Sequence, residues 1–136
     1  MQKNGILNRD IAAVLAQLGH TDRIAVADCG LPVPQNVQCI DVSLKPGVPG
    51  FSDVLSVLLE EMAVEKCYVA EETKERNHAV YEDLQRYSVP IEWTNHATLK
   101  KEMANMKAII RTGEKYTVCQ YYFTIRCHFL KRKYGG

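Results

Sequence analysis

Four consecutive apolar residues, Ile24-Ala25-Val26-Ala27, stop at Asp28-Cys29-Gly30, and Pro32 and Pro34 follow within a few positions. An unbroken short apolar run suits a strand buried on both faces, the kind found in parallel sheets covered by helices. The two prolines bar the chain from turning straight into a helix, because each disfavours helical backbone in the residue before it. Asp28 therefore stands at the C-terminal end of a buried strand, the edge where open α/β sheets hold their ligands.

The same grammar recurs along the chain. Upstream, Asn8 precedes Ile11, Val14, Leu15 and Leu18, which share one helical face. That spacing predicts a helix capped by Asn8 and ended by Gly19, with His20 in the loop beyond it. Downstream, strands are expected at Cys39–Val42, Lys66–Ala70, Pro90–Trp93 and Lys107–Arg111. Between them, helices are expected from Ser52 or Asp53 through about Met62, from Glu71 to Tyr87, and from Thr98 to Asn105. Lys45 to Gly50 is a loop by its proline and glycine content, and Thr112-Gly113-Glu114 turns out of the last strand. Strands alternating with helices predict an α/β fold, a three-layer α/β/α domain around a largely parallel sheet.

Bulk properties narrow the function classes. A length of 136 residues suits one domain, and a net charge of +1 directs the chain toward neither nucleic acid nor an anionic membrane surface. No apolar run approaches the ~20 residues of a membrane helix, and Asp10 interrupts any signal-like start. Five cysteines without framework spacing read as reduced thiols of a cytoplasmic protein. Cys119, Cys127 and His128 match no zinc-site spacing. Neither a GxGxxG nor a GxxxxGK[ST] motif occurs, so no phosphate cradle for a nucleotide is expected. The expectation is a protein without metal or cofactor.

Four polar residues fall where loops converge: His20, Asp28, His96 and Lys100. Each has a plain structural reading. A histidine past a helix end can serve the free carbonyls there, an aspartate before glycine can shape a turn, and His96 and Lys100, four apart, can share a solvated helical face. Periodicity alone leaves both readings open.

Residues 5–34, GILNRDIAAVLAQLGHTDRIAVADCGLPVP, closely resemble the N-terminus of the D-ribose pyranases. The pieces that carry the resemblance are Leu7-Asn8, Leu18-Gly19-His20-Thr21-Asp22 and Asp28 through Pro34, with Cys29 in place of the usual alanine. Ile40-Asp41 with Leu44, Gly47-Val48-Pro49, Glu60-Glu61-Met62, Ala70-Glu71-Glu72 with Lys74 and Asn77, and Arg111-Thr112-Gly113-Glu114 extend it to residue 114. The resemblance implies an intramolecular isomerase that interconverts pyranose and furanose D-ribose. It implies His20 as proton donor or acceptor, with Asp28, His96 and Lys100 contacting substrate; His96 precedes Arg111 by 15 residues, as in the family. It also implies a homo-oligomer, commonly a decameric ring. A non-catalytic ribose-binding or transport-accessory protein, or a mutarotase of another sugar such as fucose, are the alternatives. The fucose branch lacks the Leu31-Pro32-Val33-Pro34 run.

The resemblance stops at Glu114. All 16 acidic residues lie in 1–114, while the last 22 residues carry five basic residues and six of the eleven aromatics. Val118 and Gln120 stand where the family has a sugar-binding tyrosine and asparagine. A permitted back-translation of the tail, with one adenine removed at Lys115, reads NTPYANIILRSGVIF and then a stop, which is the family's ending. Residues 1–114 are therefore expected to be the mutarotase domain, and 115–136 a frame-shifted tail without the family's last apolar strand.

Overall fold

The computed structural model describes residues 5–19, 21–62, 64–71, 78–115 and 123–127, the last stretch as backbone. Helix α1, Arg9–Gln17, leads into strand β1, Arg23–Ala27, and β2, Gln38–Asp41, follows. Then come α2 (Phe51–Glu61), β3 (Val64–Ala70), α3 (His78–Arg86) and β4 (Ile91–Thr94). Helix α4 (His96–Glu102) runs on into a 3₁₀ turn, Met103–Asn105, before β5 (Ala108–Arg111) and β6 (Phe123–Cys127). Glu72, Lys74, Asn77, Val118, Cys119, Gln120 and His128, singled out above, lie outside the described residues.

Local chemistry sets these boundaries. The Asn8 side chain accepts the Ile11 amide at 2.9 Å, which starts α1 as its spacing predicts. α2 opens at Phe51, one or two residues before the expected start, because the Asp53 carboxylate reaches back to the Gly50 amide at 2.9 Å. α4 also begins earlier than expected, since Asn95 accepts the Thr98 amide at 2.7 Å and so becomes the cap.

The sheet order is β2-β5-β1-β6-β3-β4. β2 and β5, β5 and β1, and β3 and β4 pair in parallel, whereas β6 pairs antiparallel with both β1 and β3. The five other strands therefore point the same way. Successive residues supply opposite faces, as a strand requires. Ile24, Val26, Val69 and Ile110 pack in one buried cluster with Val14 of α1, Leu55 and Leu58 of α2 and Leu84 of α3. Ala25, Ala27, Ala70 and Ile109 pack in a second with Leu31, Leu99 and Met103. The alanines leave room for α4 to lie close to the sheet. Complete burial of a side chain such as Leu55, Leu58 or Leu99 contributes about 1.5–3 kcal/mol. The architecture is the three-layer α/β domain with a largely parallel sheet that the pattern predicts.

One expectation needs correction. The tail does supply a last strand: Phe123–Cys127 lies between β1 and β3, with Ile24 opposite Ile125 and Val69 opposite Phe123. Phe123, Thr124 and Ile125 favour extended backbone, and without β6 the inner edges of β1 and β3 would have unpaired amides and carbonyls.

Candidate active site

Because five strands run the same way, their C-terminal ends form one edge. Asp28 follows β1, Asp41 ends β2, His96 lies two residues past β4, and Thr112-Gly113-Glu114 follow β5. Asp28 is only 5% exposed, which is unusual for an aspartate and demands an explanation. Its Oδ1 accepts the Gly30 amide at 2.9 Å, closing a turn that points the carboxyl along the sheet edge. Burial pushes this carboxyl above the ordinary carboxylate range. The Gly30 and Leu31 amides and the His96 ring pull it back down, and the Glu114 carboxylate pushes it further up. Such a group serves as an acceptor for hydroxyl donors, and it takes up a proton more readily than a surface aspartate.

His96 is the first residue of α4 and is half-buried. It approaches Asp28 closely enough to act on its charge. Lys100 stands one helical turn further along and is exposed. His20 lies outside the described residues. Its neighbours mark the opposite end of β1: Asp22 Oδ2 accepts the Gly19 amide at 2.8 Å, and the Lys107 amide, just ahead of β5, donates to the Arg23 carbonyl at 2.8 Å. From Arg23 to Asp28 the strand spans roughly 16 Å at about 3.3 Å per residue. Of the four residues singled out from sequence, the fold brings Asp28 and His96 together and leaves Lys100 on the helix surface.

Sequence reasoning assigned no role to Arg111, Thr112 and Glu114, which the fold builds around Asp28. The Thr112 amide and hydroxyl both donate to the Ala27 carbonyl at 2.9 Å, and the Cys29 amide donates to the Glu114 carbonyl at 2.9 Å. The Arg111 guanidinium donates to the Leu31 carbonyl at 3.1 Å. The available signal was a polar segment following directly on the buried Ile109-Ile110 pair, at the ligand edge of the sheet. Among the described residues, no three His, Cys, Asp or Glu side chains converge as a metal ion would require. Among the same residues, no helix is long and apolar enough to cross a membrane.

Known proteins resemble this chain in sequence or in fold. A D-ribose pyranase of Halalkalibacterium halodurans is 54% identical over 114 residues, 84% of this chain and 88% of its own length. The structure of Bacillus subtilis RbsD complexed with D-ribose is 44% identical and superposes with a TM-score of 0.86, covering 96% of this chain and all of that one. The fucose mutarotase of Streptococcus pneumoniae, solved with L-fucose, shares the fold at a TM-score of 0.75 and 16% identity, over 96% of this chain and all of its own. The sequence profile described as the RbsD / FucU transport protein family matches residues 1–120, and the chain belongs to that family.

Proposed function

We propose that the chain is a D-ribose pyranase, an intramolecular isomerase that exchanges the pyranose and furanose forms of D-ribose. The observation that carries this reading is the joint one of extent and identity. Relatives near 50% identity over most of their length are D-ribose pyranases, and the ribose-bound RbsD structure superposes over nearly the whole chain.

The chemistry suits the residues at the edge. Ring opening takes the proton from the anomeric hydroxyl and breaks the bond between C1 and the ring oxygen. A proton is delivered to that oxygen, leaving the open aldehyde. Reclosure through a different hydroxyl changes the ring size and reverses the proton movements, so none is gained or lost. In this reading His20 moves the proton, because imidazole gives and takes one near neutral pH. Asp28 and His96 hold sugar hydroxyls, and Lys100 is an outer contact. No redox or phosphoryl step arises.

Asp28 and the residues flanking His20, Gly19 and Asp22, lie at opposite ends of β1, a separation wider than one ribose. A homo-oligomer resolves this if one subunit's residues 19–21 meet the next subunit's Asp28 edge. A head-to-tail contact of this kind makes a ring when its rotation closes and an open filament when it does not. The tail, in this proposal, is a frame-shifted replacement of the family's ending that keeps a strand but not the tyrosine and asparagine, and it weakens assembly and activity.

Saturation-transfer NMR on D-ribose tests the reading. The protein should accelerate exchange between pyranose and furanose signals, and His20→Ala should lower the rate by about 10²–10⁴-fold while some ribose affinity remains. Exchange that His20→Ala leaves intact would rule out the proton role. If the chain binds ribose without exchange, even with the ending NTPYANIILRSGVIF restored, it is a binding protein.

A further inference from the structure

The segment after β5 grips the Asp28 turn on both sides and reaches a second element as well. Thr112 holds the Ala27 carbonyl before Asp28, and the Glu114 carbonyl holds the Cys29 amide after it, each at 2.9 Å. The Glu114 side chain extends the other way, its Oε1 accepting the Phe51 amide at the start of α2 at 3.1 Å. The segment cannot slide. The Gly113 amide donates to the Pro49 carbonyl at 2.8 Å, and a Cβ at Gly113 would lie 2.5 Å from the Val48 carbonyl oxygen. Glu114 is thus fixed by its backbone to the turn and by its carboxylate to a helix N-terminus, where an anion is favoured. From there its charge still acts weakly on the buried Asp28.

We propose that Glu114 is a positioning residue for Asp28, tying the 28–30 turn through its backbone carbonyl and its side chain to the start of α2. The kinetic arm rests on the pyranase reading, and the structural arm does not. The groups acting on Asp28 are the Gly30 and Leu31 amides within its own turn, the His96 ring at the head of α4 and the Glu114 carboxylate after β5. Arg111 is engaged elsewhere, on the Leu31 carbonyl at 3.1 Å and on Asp41 at 3.8 Å. Among these, Glu114 is the group that raises the proton affinity of Asp28. A carboxyl so poised meets a hydroxyl-rich ligand as acceptor or donor.

The test is a ¹³C carboxyl titration of Asp28 in the full chain and in Glu114→Gln and Glu114→Ala, alongside the ribose dependence of exchange. Glu114→Gln keeps an oxygen for the Phe51 amide and removes the charge, so Asp28 should titrate at lower pH, and KM should rise less than in Glu114→Ala. Glu114→Ala also loses the anchor; its KM should rise by about tenfold to a hundredfold, more than kcat falls, because the turn is misplaced. An unmoved Asp28 titration in Glu114→Gln overturns the proposal, as does an unchanged KM in Glu114→Ala. A fall in thermal stability with both unmoved makes Glu114 a helix cap only, which also overturns it. If no variant accelerates ribose exchange, the functional reading fails, and the titration still decides the role of Glu114.

Discussion

At the residue scale, Asp28 is a buried carboxyl held at a cost to stability. Its carboxyl holds a proton more tightly in the folded chain than in the unfolded one. The sign follows from linkage: its favourable contribution is full below the ordinary value of 3.8 and is lost as pH rises through the higher folded value. At neutral pH the buried charge is therefore a net cost. Asp28→Asn keeps an oxygen for the Gly30 amide and removes that cost. The variant should melt higher than the parent at pH 7, with the advantage shrinking toward pH 3, in thermal scans across that range. It should also bind ribose more weakly, by about 1.5–3 kcal/mol or ~10–100-fold, as for loss of a hydrogen bond to a charged group; calorimetry reads this directly. Equal melting temperatures at both pH values would contradict the burial argument.

At the scale of elements, the helices and parallel strands were legible because they follow period and punctuation. Asn8 with its apolar face marked α1, and the runs at Ile24–Ala27 and Lys107–Arg111 marked β1 and β5. What escaped was capping at a distance of three residues. The Asp53 carboxylate and the Asn95 side chain each pull a helix start toward the N-terminus, which apolar spacing does not register. β6 escaped for another reason: Phe123–Cys127 carries Arg126 and lies in a basic segment, and its position is set by two open strand edges rather than by its own pattern. The site was half legible. Asp28 is marked by Gly30 and the prolines, but Glu114 becomes part of the site through contacts with residues 63 and 85 positions away. Replacing Asn8 by alanine should lower stability by about 1 kcal/mol, read as a shift in the urea midpoint. Asn95→Ala should cost a similar amount and in addition weaken ribose binding, because its helix carries His96.

At the scale of the whole molecule, the strand direction makes a prediction about subunits. If each site joins the histidine segment of one copy to the aspartate edge of the next, two variants impaired on opposite sides of the junction complement each other at ribose concentrations below the KM of either. Mixed and reassembled subunits of His20→Ala and Asp28→Asn should regain about a quarter of the parent exchange rate, since in a head-to-tail ring one junction in four pairs two intact halves. Silence from the mixture, with both variants assembled, would place the histidine and aspartate in the site of a single copy and overturn the shared site.

The place of β6 also governs the order of events during synthesis. β2, β5 and β1 form one slab and β3 with β4 another, and the strand that joins them is synthesised after the other five described strands. A nascent chain released up to residue 115 has two half-sheets with bare inner edges. It depends on the final few residues to zip them shut, and until then each bare edge is a template for the wrong partner.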